Sequence, residues 1–503
     1  MKKTVLLACL VLFTLVEDLL AQPIPSSASY AINFDRTTQR PNTNRKLNAV
    51  SLDGVSITLS QPKRMYHDMT SQLLVVRPGQ TVQPAVNFTG EWMHSYIFID
   101  LNQNGQFDVQ TPGEQGQLQE DNELVCFSAL TLDDGNYNSA GESLENMNAV
   151  QPPAFTIPES LAPGFYMMRW KMDWNSTDPG GRMDENNSIV NNRGAIVDVI
   201  LRVTDEQEDD AYELVFADEF DLPDGSRPDA RYWRSSNRYG AVWNRWISDS
   251  PDVAFIQDGN LVCRAIPNPD TSTDDVPMIT GSMETRGNFS FTYGKVAVRL
   301  RTLPHAGNFP AAWMMPQPPC ETWPNSGEID IFEAIDAQNT SYHTIHSHWS
   351  YDLGHKSDPL SSFTSPVTVA EWHVYGLEWT EDYLIFSVDD KPVALYPRST
   401  DEDVLNQGQW PFEHPFYLIL NQSVGNGSWA KAADTSFTYE TCFDYVRVYQ
   451  KSDGDAVHDI DAESLRGIAE DNVWYDLSGR RLGTASPRHS GIYIVNGHKR
   501  VVR

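Results

Sequence analysis

From about residue 24 to residue 450 the chain is a succession of strand-length runs in which apolar and polar side chains alternate. Gly, Pro, Asn and Asp cut these runs at short intervals. HSYIFID (94–100), GFYMMRWKMDW (164–174) and GAIVDVILRV (194–203) have the period of two that a half-buried strand requires, and YGKVAVRLRT (293–302) and LIFSVDDKPVALY (384–396) continue the pattern of strands and turns. No useful length of 3.6-residue periodicity competes with them. The chain is therefore expected to be all-β. Residues 24–203 read as a smaller β-sandwich, and 212–451 as one large antiparallel β-sandwich of jelly-roll type. Between them TDEQEDDA (204–211) carries five acids in eight residues and reads as a linker marking an independent boundary. A second polar stretch, 452–473, leads to a small β-module at 474–503. There six basic residues stand against Asp476 alone, and Asn496-Gly497 supplies a two-residue hairpin turn.

The N-terminus sets the compartment. Lys2 and Lys3 precede an apolar run from Val5 to Val16, too short to cross a bilayer, and the cleavable pair Ala21-Gln22 follows. Residues 1–21 read as a secretory signal peptide, and no later run is long enough for a membrane span. The protein is expected to be exported: secreted, at the cell surface or retained in a periplasm. With 37 Lys and Arg against 68 Asp and Glu, the net charge of −31 disfavours nucleic acid and anionic lipid as partners. It also favours a neutral polysaccharide over a sulfated one, within the short reach that salt allows. Cys126, Cys263, Cys320 and Cys442 form no CxxC pair, which argues against zinc and for buried free or singly paired thiols.

The densest chemistry lies in PNSGEIDIFEAID (324–336). On a helix, Glu328, Asp330 and Glu333 would scatter around the axis. On a strand, Glu328 and Asp330 share a face, while strict alternation sends Glu333 to the other side. One β-bulge near Ile331-Phe332 returns Glu333 to its partners. Three crowded carboxylates cannot all ionise cheaply, so their pKa values separate. Retaining glycoside hydrolysis needs that division, with one ionised nucleophile and one protonated acid. The motif taken alone also fits an acidic edge strand or a divalent-metal site.

The surrounding segments extend the pattern. GEIDIFE resembles the bulged catalytic signature of glycoside hydrolase family 16, and LVFADEFD (214–221), VAFIQDGNLVCRA (253–265), ITGSMETRGNFSFTYGKVAVRLR (279–301), NFPAAWMMP (308–316), WHVYGLEWTEDYLIFSVDD (372–390), WPFEHPFYLILNQSVGNGSW (410–429) and FDYVRVYQ (443–450) are similar, in order, to further blocks of that family. The resemblance covers about 212–450. It implies Glu328 as nucleophile, Glu333 as general acid/base and Asp330 as the carboxylate between them. It also implies Trp323 in the subsite beside the scissile bond and His346 near the acid/base. Asn421, Trp429, Arg286 and Trp246 become cleft candidates. The expected activity is that of a retaining endo-β-glycanase on neutral β-1,3- or mixed β-1,3/1,4-glucan. An agarase- or porphyranase-type galactan hydrolase and a non-catalytic glycan-binding protein are the alternatives. Around Trp243-Asn244-Arg245-Trp246 the sequence departs from the laminarinase-like Asn-Glu pattern, which leaves the exact polysaccharide open.

No cofactor is expected for catalysis, and two places in the chain are candidates for a structural calcium. The family resemblance implies one on the convex side from Glu219, Asp444 and the carbonyl of Gly259. The loop DLNQNGQFD (100–108) places Asp100, Asn102, Asn104 and Asp108 at calcium-loop spacing, with Thr111 where the twelfth-position acid would stand. An Asx-turn is the competing reading of that loop. In the N-terminal sandwich Trp92, Trp170 and Trp174 could be a sugar platform or core. The C-terminal YDLSGRRL…GIYIVNGHKRVVR resembles Bacteroidetes sorting-type tails, which implies a secretion or sorting apparatus as partner.

Overall fold

The computed structural model describes residues 23–59, 64–174, 186–205, 211–451, 474–476, 481–483, 491–495 and 498–502. The proposed signal peptide, most of the 204–211 linker, all of 452–473 and the Asn496-Gly497 turn lie outside them. The described chain is built almost entirely of strands. In the N-terminal sandwich a three-stranded sheet, with Lys46–Leu52 at its centre, faces a five-stranded sheet containing Met93–Ile99, Gly164–Trp174 and Gly194–Val203. Leu47, Val50, Ile97, Met168, Trp170, Met172, Val197 and Val199 fill the space between.

Trp170 is therefore core. Trp174 packs against the guanidiniums of Arg45 and Arg193, and Trp92 stands exposed. These three indoles form no shared sugar platform. All four described cysteines are free thiols, with only Cys320 exposed.

The larger sandwich has a nine-stranded and a seven-stranded sheet. Alternation dictates which residues go between them. Along Gly294–Thr302 the buried positions are Gly294, Val296, Val298, Leu300 and Thr302, with Lys295, Ala297, Arg299 and Arg301 between them. Ile329, Ile331, Phe332, Phe386, Leu418 and Val446 meet in the same core from both sheets.

The two sandwiches share one cluster of core residues. Tyr383–Val388 and Lys391–Pro397 form one edge of the nine-stranded sheet, and both their faces are covered. Leu384, Phe386 and Ala394 point into the large sandwich. Ile385 and Leu395 instead join Leu73, Phe98, Phe165, Met167 and Ile200 of the N-terminal sandwich. Arg202 grips Glu378 across this seam through two bonds of 2.9 Å, and Tyr383 donates to the same carboxylate at 2.8 Å. Burial would raise the Glu378 carboxyl, but Arg202 overrides it and holds it below its ordinary range.

The C-terminal strands Trp474–Asp476, Arg481–Gly483, Gly491–Val495 and His498–Val502 form an antiparallel four-stranded sheet.

Candidate active site

The seven-stranded sheet runs in the order Arg234–Ser235, Ser282–Glu284, Phe416–Val424, Asn308–Pro316, Glu328–Glu333, Thr340–His346, Ser362–Pro366. Its registers set residues in rows across the strands. Glu284, Ile419, Trp313, Asp330 and Thr344 form one row, and Ser282, Asn421, Ala311, Glu333 and Tyr342 the next.

The bulge lies where the sequence places it. Asp330 pairs with Thr344 and Glu333 with Tyr342, so Ile331 and Phe332 together oppose the single residue His343. On the other flank the register slips between Ala312 and Trp313. Ile329, Ile331 and Phe332 all go into the core, and the three acids share the opposite face.

The environments of the two glutamates differ. Burial raises both carboxyls above their ordinary range, and the charge of Asp330 raises them further. Glu328, however, accepts a 2.7 Å hydrogen bond from the indole N–H of Trp323, and His346 Nε2 stands 3.8 Å from its other oxygen. Both pull its pKa back down. Every named influence on Glu333 pushes upward, so Glu333 keeps its proton while Glu328 ionises first. For His346, burial opposes charge, but Asp330 and Glu328 outweigh it and raise the imidazole to about 9. His346 is thus a cation in neutral solution, 3.4 Å from Asp330 Oδ2. That oxygen is buried and has no fully formed hydrogen bond. Glu328, Asp330 and His346 each bring a ligand atom within 4.8 Å of the others, a spacing that could hold a metal ion. The Trp323 N–H and the charged imidazole already compensate these carboxylates.

Aromatic side chains flank both ends of the acid row. Trp323, 41% exposed, packs edge-on against Tyr351 at 4.5 Å, near His346. Trp429, 45% exposed, packs against Tyr342 and Phe309 on the Glu333 side. Arg286 lies over Tyr417 at the far side of the sheet.

Two cleft candidates sit differently from expectation. Asn421 is on the Glu333 row, but it is buried, accepting from Trp313 Nε1 at 2.7 Å and donating to Ser423 at 3.0 Å. It fixes the floor. Trp246 packs with the small core of Ala265, Met278, Val424 and Tyr439, under Arg245. The indole on the cleft floor is Trp243, edge-on to Trp313 at 4.8 Å and clustered with Tyr417 and Ile419. Trp243 and Trp313 were missed by sequence reasoning. The pairing of Trp313 with Asp330 would have revealed the latter once the register was known.

The convex-side calcium residues do not fit a cation. Both oxygens of Glu219 are taken by Arg447, at 2.7 and 2.8 Å, and Asp444 is paired with Arg299. Two guanidiniums supply the positive charge that an ion would bring there, so Glu219 and Asp444 are salt-bridged surface carboxylates, and Gly259 is the positive-φ turn residue between Ala254–Gln257 and Asn260–Pro267. The 100–108 loop closes on itself in a similar way. Asp100 accepts from Tyr30 and from the Asn104 and Gly105 amides, and Asp108 accepts from the side chains of Asn102 and Asn104. A distant acid, Glu123, caps the loop by accepting the Leu101, Asn102 and Asp108 amides. This is the Asx-turn arrangement, with its acceptors already supplied with protein donors.

Comparison with known proteins agrees with the geometry. Residues 255–443 match the model of the glycosyl hydrolases family 16, and 94–198 match that of the GEVED domain. A keratan-sulfate endo-1,4-beta-galactosidase from Sphingobacterium multivorum is 36% identical over 48% of this chain, and the match spans 55% of that enzyme. A beta-glucanase from Rhodothermus marinus is 32% identical over 48% of this chain and 85% of its own length. A laminarinase of known structure from Rhodothermus marinus is 28% identical, covering 48% of this chain and 98% of its own, with a TM-score of 0.42. Since the family model takes in the carboxylate strand and a relative above 30% identity matches through most of its length, this chain belongs to glycosyl hydrolases family 16.

Proposed function

We propose that the protein is an exported, retaining endo-β-glycanase that hydrolyses β-1,3- or mixed β-1,3/1,4-glucan. The observation that carries this reading is the asymmetry between Glu328 and Glu333 on one face of the bulged strand. Glu328, eased into ionisation by Trp323 and His346, attacks the anomeric carbon. Glu333, held protonated, gives its proton to the departing glycosidic oxygen and then takes one from the water that hydrolyses the glycosyl-enzyme. Asp330, between them, raises both carboxyls, and Trp323 and His346 decide which of the pair ionises first. Trp323 and Trp429 offer partly exposed indole faces at the two ends of the acid row. The Rhodothermus beta-glucanase supports the choice of glucan. The boundaries at 204–211 and 452–473, and a sorting role for the C-terminal module, belong to the same proposal.

A second reading, a β-galactan hydrolase of agarase or porphyranase type, is favoured by one recess. Arg234, Asn237, Tyr239, Arg286 and Gln317 line a hollow of about 430 Å³. Glu284, which Arg234 pairs with, lies three strands, about 14 Å, from Asp330. Two guanidiniums against that one carboxylate suit an anionic substituent, and the Sphingobacterium relative is named for a sulfated galactan. Reducing-end release from a polysaccharide panel separates the readings. Release from laminarin or mixed-linkage glucan supports the first, and release only from agar-type or sulfated galactans supports the second. Binding without release from any substrate would overturn both.

A further inference from the structure

A bulge strips a backbone group of its ladder partner, and a buried carbonyl left unpaired is costly. In the Glu328–Glu333 strand the residue at risk is Ile331, one of the two that oppose His343. His343 is fully buried, its ring 5.5 Å from that of Phe386, which belongs to the opposite sheet. Its Nδ1 lies 2.7 Å from the carbonyl oxygen of Ile331, and its Nε2 lies 3.1 Å from Ser341 Oγ. The protons in this chain are determined. A carbonyl only accepts, so Nδ1 carries the hydrogen, and burial lowers the ring to about 4, keeping it neutral. Nε2 is therefore bare and accepts from the Ser341 hydroxyl.

We propose that His343 is a positioning residue: its Nδ1–H occupies the carbonyl that the bulge frees, and so holds Glu333 on the same face as Glu328. His343 touches no substrate and acts only through the strand. The Ser341 hydroxyl fixes the tautomer and ring angle, making it the second link. This inference rests on Glu333 as the general acid.

The test compares kcat/KM on polysaccharide with kcat/KM on an activated aryl glycoside, whose leaving group needs little protonation. His343→Leu removes the donor at similar bulk. It should lower kcat/KM on polysaccharide by about 10²-fold, within the range of general acid catalysis, and on the aryl glycoside by only about threefold. His343→Asn, whose amide can donate where Nδ1 does, should recover most of the polysaccharide activity. Ser341→Ala should give the same substrate split at about a tenth of the size. Equal losses on both substrates would overturn the proposal, as would wild-type polysaccharide turnover in folded His343→Leu. If His343→Leu does not fold, Ser341→Ala decides, and an unchanged ratio there overturns the proposal. Glu333→Ala is the control: if that variant shows no split, the acid assignment fails rather than the clamp.

Discussion

Removing one hydrogen from the Glu328 environment should move one limb of the pH profile and leave the other in place. Trp323→Phe keeps an aromatic ring against Tyr351 and deletes the N–H that donates to Glu328 at 2.7 Å. A hydrogen bond to a charged acceptor is worth about 1.5–3 kcal/mol when well shielded. Trp323 is 41% exposed, so about 1 kcal/mol is the appropriate figure here. At about 1.36 kcal/mol per pKa unit, the Glu328 carboxyl should rise by roughly 0.7 unit. Activity requires Glu328 ionised, so it appears as pH rises through the first titration of the pair and disappears through the second. The acid limb of kcat/KM should therefore shift upward by roughly 0.7 unit, with the alkaline limb unmoved. The assay is reducing-sugar release at low substrate across the pH range. An unmoved acid limb, or a shift confined to the alkaline limb, would refute the assignment of Glu328 as the group that ionises first.

Other outcomes follow from the same geometry. Glu333→Ala should lose polysaccharide turnover by about 10²-fold or more, yet azide should restore turnover of an activated aryl glycoside and give a β-glycosyl azide; an α-azide would reverse the two roles. Because the native state holds the Glu333 proton above the unfolded pKa, its stability falls as pH rises past the ordinary glutamate range. Glu333→Gln should thus raise Tm at neutral pH by about 2–4 °C, and should lose that advantage below pH ~4. Expressed alone, residues 212–451 would expose Ile385 and Leu395, each worth roughly 1.5–3 kcal/mol buried, and would leave Glu378 without Arg202. That fragment should unfold at lower denaturant than the full chain, and equal midpoints would show that the seam contributes nothing.

The carboxylate strand was legible because alternation is a hard constraint. Two acids two residues apart fit one face, a third at five residues does not, and one inserted residue reconciles them. Everything local to that strand followed, including the bulge at Ile331-Phe332. What escaped notice depended on partners brought together by the fold. Trp323 returns to Glu328 through an intervening turn, and Arg447 reaches Glu219 from 228 residues away, filling a site whose acids alone look suited to calcium. Glu123 joins the 100–108 loop from outside its motif. The choice between Trp243 and Trp246 turns on loop conformation that periodicity does not describe. The seam between the sandwiches left a faint trace. YLIFSV (383–388) is apolar at neighbouring positions on both faces, which a sheet with one face in solvent would not need.

The central claim is that Glu328 and Glu333 act as a nucleophile and acid pair through a covalent intermediate. The most direct test is the anomeric configuration of the first product, read by proton NMR during the earliest turnover of the full-length protein on laminarin or mixed-linkage glucan. The account predicts that the β-anomer appears first, with the α-anomer growing later by mutarotation. An α-anomer formed first would mean that water attacks directly, and it would contradict the assignment of Glu328.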